Sequence, residues 1–180
     1  MSLPNSSPAR HTPFRLAYPK GFMRLFYRLP ILVYRLGLGW IFGQRFLLLE
    51  HLGRRSGVMK QAVIEVIDRN HSDGSYVVAA AWGAQSDWFR NILKTPRVHV
   101  TVSTHKFPAT AGPIPSTEAE HSLRIYSLRH PIAFKQIGAL LIDQEARGKD
   151  EIVQAFAASI PFVRFTPIRE DDQDDLIKAV

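Results

Sequence analysis

The rhythm of apolar and polar positions changes several times along the chain, and each change predicts an element. From Lys20 to Leu38 apolar residues recur at helical spacing, with Pro30 at a break or first-turn position and Gly37 and Gly39 ending the run. Arg45 to Leu52, RFLLLEHL, is a dense apolar run suited to a buried strand. Gly53-Arg54-Arg55-Ser56-Gly57 then reads as a tight basic turn. Met59 to Asp68 alternates: Met59, Gln61, Val63 and Glu65 share one side, and Lys60, Ala62, Ile64 and Val66 the other. That is a strand with one face partly wet. Asn70 to Gly74 forms a hairpin-type turn, and Tyr76 to Trp82 the next strand.

The period then switches. Ser86 or Asp87 caps a short helix carrying Trp88, Phe89, Ile92 and Leu93, and Pro96 ends it. Val98–Val102 and Phe107–Ala111 are two more strands, joined near Ser103-Thr104-His105. Thr117 to Arg129 is helical, with Ser116 and Glu118 supplying cap and first-turn acid. His130-Pro131 breaks it, another helix runs to about Leu141, and Lys149–Ser159 is a third. Phe162–Pro167 is the last strand. Strands joined by tight turns pair antiparallel, so the expectation is an α+β fold: a six-stranded, barrel-like antiparallel sheet with helices around it. Strand–helix–strand alternation is missing, which argues against a doubly wound sheet.

Charge changes the picture more than size does. The 180 residues suit one domain, expected over 20–168, with a Ser- and Pro-rich flexible leader at 1–19 and an acidic tail at 169–180. The net charge is +7, yet the first 60 residues hold ten basic side chains against the single acid Glu50. An anionic partner should therefore meet the first third. In the segment 20–40 apolar residues are interrupted by Arg24, Arg28 and Arg35, so it is too broken for a spanning helix and unlike a signal peptide. Core packing with a solvated basic face and peripheral contact with a membrane surface are its two readings. Absence of cysteine removes thiol nucleophiles, disulfides and cysteine metal sites, and fits a cytoplasmic protein.

Much familiar chemistry is missing. There is no dinucleotide or P-loop glycine pattern, no Gly-x-Ser-x-Gly elbow, and no metal-ligand spacing among the seven histidines. No nucleic-acid-binding signature is visible. His99 and His105 flank one hairpin and are read as surface residues.

Two local features stand out. In Gly53–Gly57 two glycines free the backbone for a turn whose N–H groups can face an oxyanion. Arg54 and Arg55 add forked donors, Ser56 a hydroxyl, and Lys60 a charge that can fold back. The second feature is Ala79-Ala80-Ala81-Trp82-Gly83 followed by Ser86-Asp87-Trp88-Phe89-Arg90-Asn91. Small residues ending a strand admit something flat. Trp82 and Trp88 can wall a ring, with Asn91 one helical turn after Trp88; packing of Trp88, Phe89 and Ile92 into the core is the competing reading.

Together these features resemble the deazaflavin-dependent nitroreductase family of the split β-barrel flavin-binding superfamily. The shared pattern is Gly-Arg-[Arg/Lys]-Ser-Gly-x-x-basic after a strand, a hairpin, Tyr-Val-Val, small residues, Trp-[Phe/Tyr]-x-Asn-[Leu/Ile], and Pro96-Arg97-Val98-His99-Val100. The resemblance spans about residues 20–168. It implies a split β-barrel oxidoreductase and coenzyme F420, a deazaflavin with a phosphate and an acidic tail. It places Arg54, Arg55, Ser56, Gly57 and Lys60 at the phosphate and tail, Val63, Ala80, Ala81, Trp82 and Gly83 along the ring, and Trp88 and Asn91 as pocket support. Late-helix tyrosines often lie over the cofactor in this family; Tyr126 and His130 are the counterparts here, and with water they are the candidate proton donors. Relatives often carry Arg at Lys60 and Lys at Arg55, which keeps charge but changes the fork.

The implied reaction is hydride transfer from the reduced deazaflavin to an electron-poor acceptor: a quinone, enone or nitro compound. The protein would contribute orientation and electrostatics. FMN in the same fold is the alternative cofactor, but it lacks an acidic tail and leaves the surplus basic charge unexplained. A non-enzymatic basic lipid-binding module is the reading from another class. Monomer and homodimer are both compatible with the sequence.

Overall fold

Six strands close on themselves. A computed structural model describes residues 29–141 and 148–169. The expected leader, the start of the basic helical segment and the tail from Glu170 lie outside the described residues. In chain order the elements are α1 (Leu29–Arg35), a 3-10 turn (Leu38–Phe42), β1 (Phe46–Leu52), β2 (Met59–Arg69) and β3 (Tyr76–Ala79). A second 3-10 turn (Gly83–Gln85), α2 (Asp87–Lys94), β4 (Arg97–Val102) and β5 (His105–Ile114) follow. The chain continues through α3 (Ser116–Arg129), α4 (Pro131–Leu141), α5 (Lys149–Ser159) and β6 (Phe162–Pro167). The strands form a closed barrel in the order β1-β2-β3-β6-β5-β4, every neighbouring pair antiparallel.

The period-2 pattern decides which residues fill it. Leu47 and Leu49 of β1, Ile64 and Val66 of β2, Val78, Val100, Val163 and Phe165 point inward. Trp88, Phe89 and Ile92 of α2 join the same cluster, so α2 packs into the barrel interior. Each such side chain contributes about 1.5–3 kcal/mol on burial. A second core lies outside the barrel, where Ile67 and Val77 meet Leu123 and Tyr126 of α3, Phe134 of α4, and Val153 and Phe156 of α5. Ile67 follows the inward Val66 and so faces those helices from the outer side of β2, beside a register shift against β3 between Val66 and Asp68.

Two strand boundaries and one helix cap depart most from expectation. β3 stops at Ala79 rather than Trp82, because the Ala80 N–H donates to the Pro161 carbonyl (2.9 Å) and the Gly83 N–H to Ala80 (2.6 Å), curling the chain. β5 is longer than Phe107–Ala111, since its first half pairs with β4 and its second with β6. Ser86 precedes α2, yet its hydroxyl makes no capping bond and is buried without a partner. Beyond α1, Gly37 turns left-handed (φ 73°) and the chain enters the 3-10 turn. There Gly39 lies so close to the β4–β5 hairpin that a Cβ would sit 2.3 Å from the Ser103 carbonyl oxygen.

Candidate active site

The basic turn is built as its glycines demand. The Gly53 N–H donates to the Val58 carbonyl and the Gly57 N–H to the Gly53 carbonyl, both at 2.9 Å. Gly57 takes φ 63°, which disfavours any side chain. A Cβ on Gly53 would fall 2.6 Å from the Ser56 hydroxyl. The turn thus presents Arg55, Ser56 and Lys60 to solvent.

Arg54 points the other way. Its Nη1 donates to Asp87 Oδ1 (2.9 Å) and to Asn91 Oδ1 (3.0 Å), and its backbone N–H donates to the same Asn91 oxygen (3.0 Å). Lys94 Nζ donates to the Arg54 carbonyl at 3.1 Å. Asp87, Asn91 and Lys94 fall on one side of α2 by the i, i+3 and i+4 rule, so one helix face staples the turn to the barrel. Arg55 and Lys60, by contrast, make no side-chain hydrogen bond or ion pair among the described residues.

From this turn the outer face of β2 forms a track of Met59, Gln61, Val63 and Glu65, about 20 Å long at the usual rise per residue. One end borders a cleft of about 560 Å³ lined by Ile31, Leu32, Arg35, Glu50, Met59, Lys60 and Gln61. Arg35 Nε donates to Gln61 Oε1, and Gln61 Nε2 to Glu50 Oε1, both at 3.1 Å, while Lys106 pairs with Glu50. Burial tends to raise the Glu50 pKa, but the bonds from Lys106 and Gln61 and the charges of Lys106 and His99 outweigh it and hold the carboxyl low. At the far end Tyr126 donates its phenol proton to Glu65 Oε1 (2.8 Å), which also receives Arg45 Nε (3.1 Å). Burial and Glu65 push the Tyr126 pKa up. The half-buried His130 ring lies 5.0 Å from that of Tyr126.

The residues singled out in the sequence therefore separate into groups. Arg55, Ser56, Gly57 and Lys60 meet at the exposed turn, and Val63 lies part-way along the track. Ala81, Trp82 and Gly83 are half-buried in the curl that follows β3. Ala80 and Trp88 belong to the barrel interior, and Asn91 is 2% exposed beneath the turn, so these three act from behind. His51, which drew no attention in the sequence, is buried against Asn91. Its position on the inner row after Leu47 and Leu49 was the available signal. His99 and His105 are exposed and pair with Pro108 and Val102 respectively. Among the described residues no group of three or more potential metal ligands occurs, and no helix is long and apolar enough to cross a membrane.

The chain is thus a closed antiparallel barrel whose rim carries a glycine-framed cationic turn beside a cleft. Residues 33–136 match the model of the family described as F420H(2)-dependent quinone reductase, and the chain belongs to that family. It is an F420-dependent oxidoreductase, and coenzyme F420 is its cofactor. No curated protein matches the chain. Among solved structures it is similar to an F420-H2 dependent reductase, FDR-A, at 19% identity over 68% of this chain and 95% of that one, TM-score 0.47. It is also similar to a putative 5-nitroimidazole antibiotic resistance protein from Bacteroides thetaiotaomicron (10% identity, 72% and 76% covered, TM-score 0.47). A third is a pyridoxamine 5'-phosphate oxidase-related, FMN-binding protein from Nostoc punctiforme (9% identity, 78% and 80% covered, TM-score 0.43).

Proposed function

We propose that the protein uses reduced F420 to reduce an apolar, electron-poor acceptor, a quinone, enone or nitro compound, close to a lipid surface. The carrying observation is the cleft where charged and polar groups meet apolar walls: Ile31, Leu32 and Met59 line it beside Arg35, Glu50, Lys60 and Gln61. Such a lining accepts an apolar ring and offers N–H donors to its oxygen atoms.

The donor set suits the cofactor's acidic part. Arg55, Ser56, Lys60 and the Gly57 backbone are its proposed contacts, with Arg54 holding the turn from behind. Val63, Ala81, Trp82 and Gly83 would border the ring, while Ala80, Trp88 and Asn91 support them from the interior. When bound, F420H2 supplies the hydride. The chain orients the acceptor, excludes water and carries a proton. For that proton His130 is better placed than Tyr126, whose phenol is fully buried and already donates to Glu65.

The membrane reading draws on Leu32, Leu36, Trp40 and Ile41, each more than half exposed, with Arg35 and Arg45 among them. Apolar contacts beside cations favour an anionic interface. Fluorescence titration with F420, and with FMN as control, tests the cofactor site. Binding of neither below roughly 100 µM, about −5.5 kcal/mol, overturns it. Co-sedimentation with anionic liposomes tests the surface; protein left wholly in the supernatant refutes that part.

A further inference from the structure

Beneath the basic turn lies a polar chain joining residues far apart in sequence. His51 ends the inner row of β1 and is 3% exposed; Asn91 of α2 is 2% exposed. Asn91 Nδ2 is 3.1 Å from His51 Nδ1. The orientation of this amide follows from chemistry. Arg54 offers only donors, its backbone N–H and Nη1, both directed at Asn91 Oδ1 at 3.0 Å. Oδ1 must face Arg54, so the amide N–H faces His51, and Nδ1 must accept. His51 is then neutral, with its proton on Nε2.

We propose that His51 is a positioning residue for the cofactor's anionic end: its unprotonated Nδ1 fixes the Asn91 amide, which fixes Arg54 and the turn that displays Arg55 and Lys60. Protonation would set an N–H against an N–H. Either the amide rotates and turns its NH2 on Arg54, or the bond is lost and Asn91 is left loose. In both cases the turn loses its anchor, so cofactor affinity falls with pH.

The groups facing His51 agree with a neutral ring. Burial lowers its pKa, and the Lys60 charge on β2 adds to this; the Leu52 backbone and Asp87 on α2 oppose. Arg54 reaches it only through Asn91, and Lys94 stops at the Arg54 carbonyl. The neighbouring inward residues of β1 and β4, Leu49 and Val100, are apolar. Glu50 and its partner Lys106 lie on the outer face.

The inference rests on the proposal that this turn holds the cofactor, and the experiment separates the two. His51→Asn keeps an acceptor near the Nδ1 position that cannot titrate; His51→Leu keeps volume without an acceptor. F420 affinity is measured by fluorescence for the parent and both variants from pH 5 to 8, with thermal melts confirming folding. The Asn91 side-chain amide is followed by NMR in the protein without cofactor. At pH 7.5 His51→Leu should bind about tenfold more weakly, the loss of one buried hydrogen bond, and His51→Asn within about twofold of the parent. On acidification the parent should lose affinity relative to His51→Asn; ionisation of the cofactor affects both equally. The Asn91 amide signals should move with pH in the parent and stay fixed in His51→Asn. Parallel pH curves for parent and His51→Asn, or static amide signals in the parent, overturn the role of His51 while leaving the cofactor site standing. An amide that moves with pH beside an unaltered F420 affinity instead removes the turn from the cofactor site. Should His51→Leu fail to fold, the comparison of parent with His51→Asn decides alone.

Discussion

Adjacent arginines in one turn should behave oppositely when truncated. Arg54→Ala removes an ion pair with Asp87 and a hydrogen bond to Asn91, while the residue-54 backbone N–H stays on the amide oxygen. Asp87 is 62% exposed at its side chain, so the pair contributes at most about 1 kcal/mol. The bond to buried Asn91 contributes about 1–1.5 kcal/mol. Arg54→Ala should therefore lose about 1–2.5 kcal/mol of stability. Arg55 is exposed and unpartnered among the described residues, so Arg55→Ala should lie within about 0.5 kcal/mol of the parent. Its effect belongs to binding: loss of a charged hydrogen bond to the cofactor's acidic part weakens affinity by about 1.5–3 kcal/mol, roughly 10- to 150-fold. Urea denaturation and F420 fluorescence titration on both variants separate the two quantities. An Arg54→Ala protein with the parent's urea midpoint and slope refutes the anchoring role. An Arg55→Ala protein with the parent's affinity refutes the assignment of the turn to the cofactor.

Further outcomes concern the surrounding frame. Gly39→Ala drives a Cβ to 2.3 Å from the Ser103 oxygen and 2.7 Å from the Tyr34 ring, so it should cost about 1–3 kcal/mol and lower the melting temperature. Tyr126→Phe removes the bond to Glu65 and should cost about 1–1.5 kcal/mol in urea denaturation; an unchanged midpoint would mean that bond contributes nothing. Acid should destabilise the protein in two stages. His51 and Glu50 both titrate lower when folded, so the unfolded chain binds more protons and stability falls with pH. The first loss begins below the ordinary histidine value of 6.5 and the second below the carboxylate value of 4.5. Urea midpoints that stay flat from pH 7.5 to 5 would refute the first, and His51→Asn should abolish it.

Elements whose pattern is local were legible in the chain. The alternation from Met59 to Val66 grouped Ala62, Ile64 and Val66 on one side, which the fold turns inward, and the glycines of the basic turn marked its position. What escaped depends on distant partners. The length of β5 follows from β4 and β6 sharing it, and no window around Phe107 contains that fact. Trp88 has the same spacing whether it walls a ligand or fills a barrel; its place is set by the open end of the barrel into which α2 packs. The His51–Asn91 contact joins residues 40 apart, and its components read singly as a strand residue and a helix residue.

The same distinction reshapes the meaning of the basic first third. Of the ten cationic residues up to position 60, five lie outside the described residues. Of the other five, Arg35 is bound to Gln61, Arg45 to Glu65, and Arg54 to Asp87 and Asn91. Charges committed to partners in the fold contribute little to attracting an anion at short range, because their donors are used and their fields partly cancelled. Two cations make no side-chain bond among the described residues: Arg55, inside the turn framed by Gly53 and Gly57, and Lys60, just after it. Local recognition by two freely offered charges has a consequence that a diffuse basic surface would not share. F420 affinity should fall with salt with a shallow slope, near that expected for two screened contacts, and Arg55→Ala should remove about half of it. A steep slope untouched by Arg55→Ala would transfer the anion to the cations before residue 29.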